Sequence, residues 1–225
     1  MANNNRNNKN NKTTKHGKFH IEFKNIAQKL AWASFQQQDV LFLCGPAGTG
    51  KSLLSVAFAI SEVLQNNKKK IILTRPVVES GESLGYLPGT LHEKINPYMI
   101  PLYDHIETLV GKNNTQREMV DEALEIAPLA YLRGRTFNNA VCILDEAQNC
   151  SLMQLKLFLT RMGEDSKLII TGDPLQSDLR GSFLAFSDVV LRLESVPGIG
   201  VVKFDSSCIV RHKLVSKILE KLEEA

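Results

Sequence analysis

Gly45-Pro46-Ala47-Gly48-Thr49-Gly50-Lys51-Ser52 decides how this chain is read, because an apolar run, Val40 to Cys44, leads into it and a helix-like run follows. The pattern G-x-x-x-x-G-K-S needs glycines so that backbone N–H groups can close around phosphates in conformations a Cβ would obstruct. Lys51 then supplies a point charge for the β- and γ-phosphates, and the Ser52 hydroxyl is a candidate Mg²⁺ ligand. Downstream, Leu53, Val56, Ala57, Ile60, Val63 and Leu64 keep helical spacing. The loop therefore empties into a helix N-terminus, which favours an anion. The whole segment, Gly45 to Ser52, is expected to cradle a nucleoside triphosphate together with Mg²⁺.

Apolar runs at Val40–Cys44, Ile71–Thr74, Ala140–Leu144, Leu168–Thr171 and Gly200–Phe204 alternate with helix-like stretches. Such alternation predicts βαβ units and a mostly parallel sheet, and the continuous apolar character of the runs predicts helices on both faces. Helices are expected at Ile26–Phe35, Ser52–Asn66, His92–Val110, Gln116–Glu125, Leu152–Met162, Ser182–Leu193 and Lys213–Glu223. Ser151 with Gln154 three residues on is a capping-box signal for the fifth of these, and Gly163 stands where that helix is expected to stop. Between Arg75 and Arg133 lies a long excursion that passes through Gly81, Pro88 and Gly89, of the length and composition that functional segments have.

The 225 residues, 43% of them hydrophobic, suit one α/β domain with a sizeable core, and no stretch is long and apolar enough to span a bilayer. Cys44, Cys142, Cys150 and Cys208 sit in or beside apolar runs without C-x-x-C spacing. That usage, with no apolar signal segment at the N-terminus, points to a reducing, cytoplasmic setting and to thiols that pack. Residues 1–18 carry five basic side chains, Arg6, Lys9, Lys12, Lys15 and Lys18, no acid, and a run of asparagines. They are expected to be a disordered basic tail, leaving 19–225 as the folded unit. The net charge of +3 is mild.

A second stretch, Ala140-Val141-Cys142-Ile143-Leu144-Asp145-Glu146, is an apolar strand that ends in two carboxylates at its C-terminal tip, where open parallel sheets bind ligands. It has the form of a Walker B element. Asp145 is the candidate to hold Mg²⁺, and Glu146 to orient and deprotonate the water that attacks the γ-phosphate. The adjacent glutamate favours hydrolysis over the phosphoryl transfer of a small-molecule kinase. A third strand runs into Thr171-Gly172-Asp173-Pro174-Leu175-Gln176, which brings Gln176 to the same rim as a candidate γ-phosphate sensor, although any strand exit also needs such a turn.

GPAGTGKS, TRPVVESGESLGYLPG at Thr74 to Gly89, RGRTF at Arg133 to Phe137, ILDEAQN at Ile143 to Asn149 and TGDPLQ at Thr171 to Gln176 together resemble the PhoH-like, phosphate-starvation-inducible ATPase family. The resemblance covers residues 20 to 220. That family is similar to the nucleotide-binding core of superfamily-one helicases, which implies a RecA-like fold, ATP hydrolysis and helicase-like action on single-stranded RNA or DNA. Longer relatives join this core to a nuclease domain, and that activity is not carried over to this chain.

By the same resemblance Gln28 reads the adenine edge through its amide, the alternative being a polar residue on an amphipathic helix. Arg211 corresponds to a late arginine that neutralises charge on the transferred phosphoryl group, the alternative being a cap or ion pair on the last helix. Because helicases supply this arginine from a second domain, Arg211 would act on a neighbouring subunit's ATP, which implies a homo-oligomer such as a hexameric ring. Thr74, Arg75, Arg133 and Arg135 are the candidate nucleic-acid contacts, arginine being suited to phosphate by its planar fork. A different class remains open, a nucleotide-controlled oligomeric binding module without unwinding activity. The five histidines show no ligand spacing, which argues against zinc.

Overall fold

A computed structural model of the chain describes residues 19–76, 91–176 and 185–210. Within them, α1 (Ile26–Gln37), β1 (Val40–Cys44), α2 (Lys51–Leu64), β2 (Lys70–Thr74), α3 (Leu91–Val110), α4 (Thr115–Ala123), β3 (Leu124–Ile126), β4 (Ala140–Leu144), α5 (Leu152–Leu159), β5 (Lys167–Gly172), α6 (Ala185–Leu193) and β6 (Ile199–Lys203) follow one another. The six strands form one sheet in the order β3-β2-β4-β5-β1-β6, and every described pairing is parallel. This is the parallel α/β sheet expected from the alternation of runs, and it has the RecA-like architecture that the family resemblance implies.

Handedness sorts the helices between the two faces. Parallel crossovers are right-handed, so steps in one direction along the sheet must place their helices on one face and steps in the other direction on the opposite face. The chain moves one way from β1 to β2 to β3, through α2, α3 and α4. It moves the other way from β3 to β4 to β5 to β6, through a 3₁₀ turn at Leu129–Leu132, then α5 and α6. The two cores match this division: Leu41, Leu43, Ile71 and Leu73 pack with Phe58, Leu102 and Val120, while Phe42, Ile72, Cys142 and Ile170 pack with Leu132, Phe158 and Phe186. Strand residues alternate between the cores, as their period of two requires. That is why the strand runs are apolar without interruption.

Two sequence expectations needed correction. The predicted helix Gln116–Glu125 stops at Ala123, and Leu124–Ile126 forms an edge strand whose Leu124, Glu125 and Ile126 pair with Ile71, Ile72 and Leu73. The local sequence Glu-Ala-Leu-Glu is a good helix former, and pairing to β2 overrides that weak preference. The helix expected to run from Leu152 to Met162 ends at Leu159, where the Thr160 hydroxyl donates to the carbonyls of Lys156 and Leu157. Its start is the capping box read from the sequence, with Ser151 and Gln154 exchanging hydrogen bonds.

Gly163 is thus no helix stop. It lies against the crossover before β4, where an added Cβ would overlap Asn138 Oδ1 and stand 2.5 Å from the carbonyl oxygen of Phe137. Gly163 N also donates to that carbonyl at 2.8 Å, so the neighbour to be displaced is backbone that the fold holds in place. Gly163→Ala is expected to destabilise the protein by about 1–3 kcal/mol, the scale of overpacking, read as a lower denaturant midpoint at unchanged slope.

All four cysteines are free and buried, as their apolar neighbours predict. Burial pushes the thiols of Cys44, Cys142 and Cys150 up to about 12. They therefore carry almost no thiolate at neutral pH, and the thiolate is the nucleophile. A disulfide reagent is expected to leave these three unmodified in the native protein and to modify them promptly in denaturant. Rapid native labelling at any of the three would contradict their packing. Among the described residues no helix is long and apolar enough to cross a membrane.

Candidate active site

The phosphate loop springs from the tip of β1 and is fixed on both sides. Gly45 N donates to the carbonyl of Gly172 on β5 at 3.1 Å, and Phe204 N donates to the carbonyl of Cys44 at 2.7 Å. A Cβ at Gly45, whose φ is +148°, would run into the Phe204 carbonyl, so only glycine fits here. Gly48 and Gly50 also have positive φ, at 84° and 87°, and Gly50 is the left-handed residue from which α2 starts. The glycines of the motif thus turn the backbone as a phosphate nest requires.

Lys51, the first residue of α2, folds back to donate to the carbonyls of Gly45 at 2.7 Å and Pro46 at 2.9 Å. Burial holds its pKa below the ordinary lysine value, against the opposing pull of Asp173, Glu146 and Asp145. The Ser52 hydroxyl donates to Asp145 Oδ1 at 2.6 Å, and so does that of Thr171, also at 2.6 Å. This convergence follows from strand order. Because β5 lies between β1 and β4, Thr171 at its tip stands between the loop and Asp145.

Glu146 follows in the left-handed region, with φ 57° and ψ 43°, a conformation that a non-glycine residue adopts at some energetic cost. Its Oε2 accepts from Gln148 Nε2 at 2.6 Å, and its Oε1 lies 3.4 Å from Arg75 Nη2. The Gln148 side-chain oxygen accepts from Asp173 N at 3.0 Å, which ties the Asp145-Glu146 corner to the exit of β5. Glu146, Gln148, Thr171 and Asp173 line a cleft of about 290 Å³ that also includes Lys51, Ser52, His105 and Gln176. Burial holds the His105 imidazole below its ordinary pKa, and the Asp145 charge opposes this.

A family model described as "PhoH-like protein" matches residues 20–223. The chain belongs to the PhoH-like protein family. A PhoH-like protein of Bacillus subtilis (strain 168) is 47% identical over 205 residues, covering 91% of this chain and 64% of its own length. Protein PhoH of Escherichia coli (strain K12) is 41% identical over 199 residues, covering 87% of this chain and 56% of its own length. The chain thus spans somewhat over half the length of these PhoH-like relatives. Among solved structures, the large terminase of a thermophilic bacteriophage superposes with a TM-score of 0.56 at 13% identity, covering 86% of this chain and 49% of that one. That likeness concerns the fold.

The structure of this PhoH-like chain brings Lys51, Ser52, Asp145, Glu146 and Gln176 to one cleft. Gln28 lies against the loop, but both ends of its buried amide are engaged: Nε2 donates to the Thr49 carbonyl at 3.1 Å and Oε1 accepts from Lys24 N at 2.7 Å. Through these two bonds it braces the loop.

Of the candidate nucleic-acid contacts, Thr74 is corrected by burial. Its side chain has no exposure, and its hydroxyl has no hydrogen-bond partner among the described residues, so it presents nothing to a strand. Arg135 is engaged by Glu125 and lies 5.1 Å over the Phe137 ring, which fixes it in the fold outside the cleft. Arg133 is exposed and also outside the cleft. The Arg75 side chain reaches a cleft residue, Glu146. Arg211, the tail 1–18, the helix at Lys213–Glu223, the start of the helix at Ser182–Leu193 and residues 77–90 of the Arg75–Arg133 excursion lie outside the described residues.

Sequence reasoning missed Gln148, Thr171 and His105. Gln148 and Thr171 stood inside motifs already quoted, but only the folded corner shows what they bond. His105 carries no local signal, because α3 brings it from a distant part of the chain.

Proposed function

We propose that this chain is an ATPase that uses Mg²⁺ and couples hydrolysis to binding of a single-stranded nucleic acid, RNA foremost. The observation that carries the reading is the corner where Ser52, Thr171 and Asp145 converge beside the loop, with Glu146 one residue further at the cleft. Two hydroxyls and one carboxylate are hard oxygen donors. That set fits Mg²⁺, which is held by one or two protein oxygens together with phosphate and water. Ser52 and Asp145 would hold the ion, and bound Mg²⁺ would neutralise charge on the phosphate oxygens.

The chain's own residues do the rest. The loop amides and the α2 N-terminus bind the polyphosphate, and Lys51 leaves its two carbonyl partners for the β- and γ-phosphates. Glu146 orients a water and takes its proton as the water oxygen bonds to the γ-phosphorus and the bond to the β–γ bridging oxygen breaks. ADP and inorganic phosphate leave. Gln176, exposed at the cleft, contacts the γ-phosphate region and reports its presence to the β5 exit. Nucleic-acid coupling is what the resemblance to helicase cores implies, and Arg75 beside Glu146 at the tip of β2 supports it.

Steady-state phosphate release across a panel of RNA and DNA strands tests the reading. Turnover is expected to rise with single-stranded RNA. Release that is slow and indifferent to every strand, with ATP-dependent assembly by light scattering, would replace it with the binding-module alternative.

A further inference from the structure

Glu146 is held at both carboxylate oxygens. Gln148 occupies Oε2 at 2.6 Å, and Arg75 stands 3.4 Å from Oε1. The two restraints differ in kind. Gln148 is itself buried and tied to the Asp173 backbone, so it is part of the fixed frame. Among the described residues, Arg75 is anchored by Nη1 donating to the Tyr98 carbonyl of α3 at 3.3 Å, and its other terminal nitrogen makes the loose ionic contact with Glu146.

The Arg75 side chain is 22% exposed and that of Glu146 36%, so a ligand at the tip of β2 can reach the guanidinium without unfolding anything. A carboxylate oxygen facing a guanidinium is less free to take a hydrogen bond from a nucleophilic water, and a general base acts only within that reach. A phosphodiester is a strong competitor for the arginine. It accepts two parallel charge-assisted bonds at about 2.7–2.9 Å, whereas Glu146 offers one contact at 3.4 Å.

We propose that Arg75 is a latch on Glu146: without a strand it holds the carboxylate, and a backbone phosphate of a single-stranded nucleic acid bound at the tip of β2 draws the guanidinium away and frees the glutamate for water. The latch rests on the nucleic-acid-coupled ATPase reading above and supplies its coupling step. Arg75 is a positioning residue, since it acts through Glu146. It brakes hydrolysis in the free protein and becomes a strand contact in the complex.

The test is ATP turnover of the full chain with and without an oligouridylate strand, for the wild type, Arg75→Ala and Arg75→Gln. Arg75→Gln removes the charge while keeping more of the side chain's packing than Arg75→Ala does, so the pair separates loss of charge from loss of packing. Both variants are expected to raise strand-free kcat by about 2–5-fold, the population change that a partly exposed ion pair can hold, with KM for ATP unchanged. The strand's stimulation factor should fall toward one in both. A support role would lower kcat or raise KM instead.

Strand-stimulated wild-type turnover together with an unchanged or lower strand-free rate in both variants overturns the latch alone and leaves Arg75 as a plain phosphate contact. Wild-type turnover that ignores every strand overturns the nucleic-acid reading and the latch with it. An Arg75→Ala protein that does not fold leaves Arg75→Gln to decide by the same rates.

Discussion

Glu146→Gln is expected to bind ATP as the wild type does and to release phosphate about 10²–10⁴-fold more slowly, the usual contribution of a positioned general base. The amide has nearly the size and shape of the carboxylate, so the left-handed corner at residue 146 is kept. What is lost is the ability to accept a proton. The substitution also replaces one oxygen by an NH₂ group, which cannot accept from Gln148 Nε2 or face Arg75 as the carboxylate does. Binding is insulated from this because Glu146 belongs to β4's exit, while the polyphosphate is held by the loop and α2. The measurement is a pair: fluorescent-nucleotide titration for binding, and phosphate release for chemistry. Near-normal turnover would take the base role from Glu146.

Lys51→Ala is expected to weaken ATP binding by about 10–100-fold, the equivalent of a charge-assisted hydrogen bond worth about 1.5–3 kcal/mol. The lysine stands ready in this structure. Its ammonium caps the carbonyls of Gly45 and Pro46, at the foot of the nest, and these bonds hold it over the place where phosphate enters. Burial makes the bare ammonium less favourable than in water, and the three carboxylates around it oppose that. An incoming polyphosphate adds far more negative charge at closer range, so the ammonium gains most from such a ligand. Calorimetric titration of Lys51→Ala with ATP checks this, and wild-type affinity would mean that the backbone nest binds unaided.

What the sequence disclosed and what it withheld divide along a physical line. The loop from Gly45 to Ser52 and the strand ending in Asp145-Glu146 were legible because their chemistry is local: glycines turn a short backbone, and an apolar run ends in charge. The two-faced sheet was legible for the same reason, since uninterrupted runs such as Val40–Cys44 must be covered twice. The edge strand at Leu124–Ile126 was not, because its partner Ile71–Leu73 lies far earlier in the chain and its own residues favour helix.

The site divides likewise. Arg75 could be seen as an arginine at a strand tip, but its pairing to Glu146 depends on β2 and β4 being neighbours. Gln148 looked like one residue of a motif, and its bridge from Glu146 to Asp173 exists only once β4 and β5 pair. Thr74 stands at a strand end, where a polar side chain is expected to be available, and its burial reflects packing around the sheet that no window of sequence reports.

Everything proposed rests on the loop being a polyphosphate nest beside a magnesium corner, and titration calorimetry of the wild-type chain with ATP, with and without Mg²⁺, probes that most directly. The expected result is one ATP per chain, bound more tightly with Mg²⁺ present and more weakly by Lys51→Ala. Heat-silent titrations with both ATP and GTP, at saturating nucleotide and with Mg²⁺ present, would contradict the account at its base.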